Sequence, residues 1–218
     1  MRHAEVRYFE GVHPEHVVLT ENGMRQADAA AAALSGIAFD RVFTSGLERT
    51  LETARIVAPG REPESRYALR EIESGDIREL SPDEVQAMMT AAFRGVVPLD
   101  SRFLGGETIG ELFDRVLPAL ESLFADRSWD SALVVLHGAV NRAILSYALV
   151  GERMFLGHFE QAPGCVNLVD VGDDWPATAI VRAVNLAPLD LLHASTRLTT
   201  MEGYWAELEP YLHLIQND

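Results

Sequence analysis

The sequence contains no lysine and a single cysteine, Cys165. All 18 basic residues are therefore arginines, set against 33 Asp and Glu for a formal net charge of −15. The missing lysine excludes a Walker-type phosphate loop and Schiff-base chemistry, both of which use its amine. One cysteine excludes an internal disulfide and a multi-cysteine zinc site. Long apolar runs are lacking too. Ala29–Leu34 and Ala132–Leu136 fall far short of the ~20 residues of a membrane-spanning helix, and Met1–Glu5 shows no signal-peptide core. A cytoplasmic protein is the expectation. The acidic surplus argues against the broad basic footprint of a nucleic-acid binder, so neither nucleic acid nor membrane is an expected partner. What is present is 48% hydrophobic residues in a chain of 218, enough for one globular core.

Apolar periodicity alternates helix with strand, and no repeat or linker divides the chain. Thr20 caps a helix through Leu34 with Met24, Ala27, Ala31 and Leu34 on its inner face. Arg41–Thr44 reads as a short strand, followed by a helix from about Leu47 with Leu47, Leu51, Ala54 and Ala58 buried. Tyr67–Leu69 reads as another strand. Capping boxes at Ser81–Glu84 and Thr108–Glu111 start two helices, the first with Pro82 at its opening position and the second kinked at Pro118. Ala132–Leu136 is a buried strand that runs through His137-Gly138 into a helix over Val140–Val150. Cys165–Val171 and Ala179–Val184 complete the strands, and Thr199–Ile215 reads as a C-terminal helix interrupted by Pro210. The alternation predicts an α/β fold with a mostly parallel central sheet flanked by helices. It also predicts a single domain over residues 1–218, with a helical insertion over residues 72–130.

Functional side chains fall at element boundaries, where α/β folds place their sites. Arg2 and His3 open the chain. Arg49 lies in the first turn of a helix, about 200° round from Leu47 and so off the apolar stripe. Glu71 follows Leu69. His137 ends the most apolar strand and, with Gly138, opens a helix N-terminus suited to an anion. With no lysine available, an anionic substrate would be held by arginine forks. His13-Pro14-Glu15-His16 has the spacing of two metal ligands but no third ligand nearby.

Six segments follow one another in a telling order. They are Arg2-His3-Ala4-Glu5; Leu19-Thr20-Glu21-Asn22-Gly23; Thr44-Ser45-Gly46-Leu47-Glu48-Arg49 with Thr53-Ala54; Leu69-Arg70-Glu71-Ile72-Glu73-Ser74-Gly75; Gly106-Glu107-Thr108; and Val134-Val135-Leu136-His137-Gly138 with Arg142. Together they resemble the motifs of the histidine phosphatase superfamily, which has the phosphoglycerate-mutase-like fold. The resemblance implies that His3 is a nucleophile that takes the phosphoryl group. It further implies that Arg2, Arg49 and His137, with Gly138, hold that group. Glu71 matches the proton donor to the leaving alcohol, and Glu73 is its neighbouring alternative. No metal or other cofactor is implied, because arginine forks supply the charge stabilisation a metal would otherwise give.

The chain also departs from the pattern. Ala4 stands where the family has glycine and Val6 where it has threonine or serine. Tyr8-Phe9 stands where many members have Trp-Asn, whose asparagine touches phosphate. The mutases' longer N-terminal signature is absent, which favours a phosphatase. The fold's first central strand leads into Arg-His, yet only Met1 precedes it here. That first strand is therefore expected to be missing and His3 poorly held, with either a natural start upstream or weak catalysis as the consequence. The reading that results is a cofactor-independent phosphatase acting on a small phosphate monoester through a phosphohistidine. The alternatives are a phospho-ligand-binding module that does no chemistry, a mutase, and a metal-dependent hydrolase using His13 and His16. The sequence carries no motif for substrate identity or oligomeric state.

Overall fold

Along the computed structural model, which describes residues 1–8 and 13–212 apart from the side chain of Glu79, run thirteen regular elements. They are α1 (Glu21–Leu34), β1 (Arg41–Thr44), α2 (Glu48–Val57), β2 (Glu64–Ser65), α3 (Pro82–Ala91), β3 (Val96–Val97), α4 (Ile109–Ala125), β4 (Ala132–Val135), α5 (Gly138–Val150), β5 (Phe155–Leu156), β6 (Val166–Asp170), β7 (Ile180–Leu186) and α6 (Thr200–Leu208). Phe9 and Ile215 lie outside the described residues.

β1 is paired in parallel with β2 on one side and β4 on the other, with Phe43 opposite Val134 and Thr44 opposite Val135. Strand side chains alternate between faces, and this alternation divides the core. Val42, Leu133 and Val135 pack with Ala27, Ala30, Ala54 and Val57 of α1 and α2. Phe43 and Val134 pack with Leu112, Phe113, Val116 and Val140 of α4 and α5. Helices thus flank a parallel sheet, as the strand–helix alternation predicts. A third cluster joins α3 and α6 through Val85, Met89, Met201 and Leu208. β6 and β7 form an antiparallel pair beside this frame. Among the described residues no helix is long and apolar enough to cross a membrane.

Several elements differ from the sequence reading, each for a local reason. Tyr67–Leu69 is a 3₁₀ turn rather than a strand, because the amides of Leu69 and Arg70 bond back to the carbonyls of Arg66 and Tyr67. The inner face of α1 is Gly23, Ala27 and Ala30, and Met24 is exposed. Gly23 decides this: a Cβ there would lie 2.2 Å from the Glu5 carbonyl oxygen, so the helix seats against the chain by its side-chain-free position. Leu47 caps α2 instead of lining it, and the helix buries Arg49, Thr50, Thr53, Ala54 and Val57. Residues 72–130 are not wholly helical, since β3 pairs antiparallel with β5. α4 runs unbroken through Pro118, and α6 ends at Leu208, giving way to a 3₁₀ turn that contains Pro210.

The start of the chain is held more firmly than expected. Arg2 makes a single parallel bridge to Leu136, and among the described residues 1–8 the pairing on this side is limited to that bridge and its flanking backbone bonds. Leu136 N–H donates to Met1 O at 2.9 Å and His3 N–H to Leu136 O at 2.8 Å. On the other side Arg2 N–H donates to Cys165 O and Gly164 N–H to His3 O, both at 3.0 Å. The poor anchoring expected for His3 is thereby corrected: the residues around it are bonded on both flanks by backbone that arrives more than a hundred residues later. Gly23→Ala should lower unfolding stability by ~1–3 kcal/mol, because the added methyl must displace the Glu5 backbone. Urea unfolding measures this, and an unchanged midpoint would mean that α1 is not seated by its glycine.

Candidate active site

His3 is almost wholly buried, and its Nδ1 lies 2.7 Å from the Ala4 carbonyl oxygen. A carbonyl only accepts, so Nδ1 carries the proton and Nε2 keeps its lone pair. The Tyr8 hydroxyl lies 3.4 Å from that Nε2. His137 lies edge-on to His3, with ring centroids 5.2 Å apart, and its Nε2 is 2.7 Å from Ser45 Oγ. Burial, reinforced by Arg49, holds the pKa of both imidazoles well below the usual 6.5. Burial likewise raises the Tyr8 phenol well above its ordinary value, so it stays a donor.

Glu71 sits against the N-terminus of α5. Its Oε2 accepts from Gly138 N–H at 2.9 Å, and its Oε1 accepts from Ala139 N–H at 3.1 Å and Ile72 N–H at 3.0 Å. The helix start picked out in the sequence as an anion site is therefore filled by this carboxylate. Arg49, 4% exposed, donates Nη1 to Pro14 O at 2.7 Å and lies 5.4 Å over the Tyr8 ring. Arg2 is engaged differently from the free fork that a phosphate clamp suggests. Its Nη1 donates to Gln161 O and to Thr200 Oγ1 (2.9 Å), and its Nη2 donates to Tyr204 Oη at 2.5 Å. Tyr204 meets Tyr8 edge-on at 5.2 Å.

Buried polar atoms without partners are uncommon, and here they gather in one place. Six buried side-chain nitrogens lack a partner among the described residues, and four of them are Arg2 Nε, Arg49 Nε, His137 Nδ1 and Arg142 Nε. A cavity of about 1020 Å³ opens beside them, lined by Arg2, His3 and Arg142 from this cluster and by residues 185–207 opposite. His13 and His16 lie 5.9 Å apart in an exposed segment, and no group of three His, Cys, Asp or Glu fit to hold a metal occurs among the described residues. Those two histidines are therefore not part of this cluster.

Glu73 is exposed on the surface, bonded to Glu107 and Arg70 and away from the histidines. The sequence reading passed over Tyr204, Thr200 and Gln161, which approach only through the tertiary fold. Arg142 was noted as part of a motif without a role. Its position four residues after Gly138, on the same helix face, was the available signal.

Two buried imidazoles of lowered pKa thus stand among buried guanidiniums, an arrangement suited to an anion. The chain belongs to the histidine phosphatase superfamily (branch 1), whose family model matches residues 1–183. It is 27% identical over 195 residues to the adenosylcobalamin/alpha-ribazole phosphatase of Salmonella typhimurium, covering 84% of this chain and 94% of that protein. It is 35% identical over 143 residues to a probable 2-carboxy-D-arabinitol-1-phosphatase of Arabidopsis thaliana; the match covers 63% of this chain and spans only 30% of the plant protein. The solved alpha-ribazole phosphatase of Shigella flexneri shares the fold, with a TM-score of 0.68 and 23% identity over 85% of this chain and 94% of that one.

The depressed histidine pKa values fix a pH dependence. Unfolded, both rings take a proton near pH 6.5; folded, they resist it to lower pH. The unfolded state binds more protons in that window, so stability must fall as pH drops below 6.5. Urea unfolding at pH 8, 6 and 5 checks this. A slope that persists unchanged in His3→Gln/His137→Gln would place its origin in other groups.

Proposed function

We propose that this chain is a phosphoric monoester hydrolase that passes the phosphoryl group through His3 without a metal. The observation that carries the reading is the bond from His3 Nδ1–H to Ala4 O, which leaves the Nε2 lone pair beside unpartnered arginine donors. In the first step Nε2 bonds to phosphorus as the ester P–O bond breaks. Arg2, Arg49 and His137 stabilise the charge on the non-bridging oxygens. Glu71, held by three amides and entering the cycle as the carboxylic acid, gives its proton to the leaving oxygen, and the alcohol departs while Glu71 is left as the carboxylate. In the second step Glu71 takes a proton from water as that water attacks phosphorus and releases phosphate from His3. The substrate is a small phosphorylated molecule, in keeping with the phosphatase names of relatives from Salmonella typhimurium and Arabidopsis thaliana. Residues 72–130 serve in this reading as a cap within one domain, supported by α3 packing on α6 beside the cavity. The setting in this reading is the cytoplasm, in keeping with one free cysteine and no disulfide.

A second reading, a phospho-ligand-binding module without turnover, draws on Tyr8 standing at Nε2 and on the engagement of Arg2 by α6. Trapping separates the two. With a labelled phosphate ester and EDTA present, the chain should form an acid-labile, alkali-stable phosphoramidate on His3, and His3→Ala should abolish both label and turnover. Binding without label would favour the module, and label on serine would overturn the mechanism.

The proton-donor role has its own signature. Glu71→Gln should slow alkyl phosphates by ~10²–10⁴ while slowing p-nitrophenyl phosphate far less, because an activated phenolate leaves without protonation. Equal losses on both substrates would remove Glu71 from that role.

A further inference from the structure

Arg142 is 3% exposed, more buried than most arginines tolerate, and it is poorly satisfied. Its Nε is buried without a partner, and among the described residues its one side-chain hydrogen bond is a long 3.4 Å contact from Nη2 to Glu160 Oε2. Glu160 is itself a third exposed and gives its other oxygen to Thr200. Arg115 shows what a structural arginine looks like in this chain. All three of its nitrogens are bonded, at 2.6–3.0 Å, to the Glu107 carboxylate and to the carbonyls of Ala68, Arg70 and Glu71. Arg142 has no such set. Its guanidinium lies 4.9 Å from the Phe93 ring, which orients the plane without satisfying the donors.

The position of these donors is informative. Around the point where a Cβ on Gly138 would stand, Arg142 Nη1 lies at 3.2 Å, Glu71 Oε2 at 3.6 Å and Arg2 Nε at 3.8 Å. Gly138 thus leaves room for the Arg142 fork to reach the side of the site where Glu71 stands, and Arg142 also lines the 1020 Å³ cavity. In the phosphatase reading, on which this inference rests, Glu71 meets the leaving oxygen, and Arg142, which shares the space at Gly138 with Glu71 and also lines the cavity, is assigned to the leaving group. A buried guanidinium with unspent donors is matched by an anion, and a planar carboxylate fits its fork bidentately. We propose that Arg142 is a substrate-binding residue that holds a carboxylate carried by the leaving alcohol, so that the preferred substrates are phosphate esters of hydroxy acids.

The test compares two esters that differ only in that group: phosphoglycolate and ethylene glycol monophosphate. The wild-type chain should favour phosphoglycolate in kcat/KM by about tenfold or more, since a site built to bind a polar group rejects the analogue lacking it. Arg142→Gln should lose at least about tenfold more on phosphoglycolate than on the neutral ester, and Arg142→Lys should recover part of the preference through its charge. Turnover of both esters without preference, or equal losses on both in Arg142→Gln, overturns the assignment alone. No turnover of either ester, nor of p-nitrophenyl phosphate, overturns the phosphatase reading and the assignment with it. Should Arg142→Gln lack a native near-UV spectrum, product inhibition of the wild-type chain decides. Glycolate should compete against p-nitrophenyl phosphate at least tenfold better than ethylene glycol, and equal competition overturns the assignment.

Discussion

The hydrogen bond from His3 Nδ1–H to the Ala4 carbonyl is the constraint on which the site turns, because it selects the tautomer and leaves the lone pair on Nε2, facing the Tyr8 hydroxyl. It can do so only while the backbone of residues 3 and 4 is fixed, and much of the fold converges on that requirement. Leu136, at the end of β4, bonds one flank of the chain start, and Gly164 and Cys165, ahead of β6, bond the other. Ala4 N–H donates to Thr53 Oγ1 on α2, whose own hydroxyl donates to Arg49 O. Gly23 brings α1 against the Glu5 backbone, and Thr20 and Asn22 hold the Glu5 carboxylate. Non-local backbone bonding thus holds residues 1–4 on both flanks.

The same burial that fixes His3 also sets the electrostatics. Two imidazoles are kept neutral because desolvation and nearby guanidiniums both oppose a further positive charge. The arginines cannot escape in the same way, since a guanidinium does not deprotonate in proteins. The result is a polar interior made of cationic donors, the lone-pair nitrogens of two uncharged imidazoles and the Glu71 side chain. The Nε atoms of Arg2, Arg49 and Arg142 stay buried without a partner in this interior, which is the under-satisfied state on which the proposed anion binding draws.

How much of this was legible in the sequence depends on whether the signal was local. β4 showed as an apolar run and β1 as a short strand, and the capping boxes at Ser81 and Thr108 started helices where the structure places them, with both reciprocal bonds formed. The inner face of α1 was misread because its seating residue is a glycine, which contributes nothing to an apolar pattern yet permits the closest approach. Tyr67–Leu69 carries strand-like residues, but the amides of Leu69 and Arg70 bond back to carbonyls three residues earlier. The bonds of residues 1–3 to Leu136, Gly164 and Cys165 were invisible, since those partners lie more than 130 residues away and use only backbone. At the site, the order of motifs pointed to His3, Arg49, Glu71 and His137, and the fold gathers them around two strand ends and one helix start. It gave no hint that Tyr204 and Thr200 would take up the terminal nitrogens of Arg2, because α6 reaches them only through its packing on α3.

An all-arginine site inside a chain of net charge −15 poses a question of range. At a distance the protein presents a negative field, which does not steer an anionic ester towards it. In ~0.15 M salt that field is largely screened beyond a Debye length of about 8 Å. Inside that length the balance reverses, because the guanidiniums are buried, weakly screened and short of partners, whereas many of the surface carboxylates are already spent on caps, turns and ion pairs. Glu84, Glu111 and Glu202 close capping boxes, and Asp190 binds the amides of Ala194 and Ser195. Positive charge therefore acts only on a ligand already within contact distance. Recognition in such a molecule is decided at contact, by the fit of oxygens to fixed N–H groups, and the acidic exterior and the cationic interior do not oppose each other.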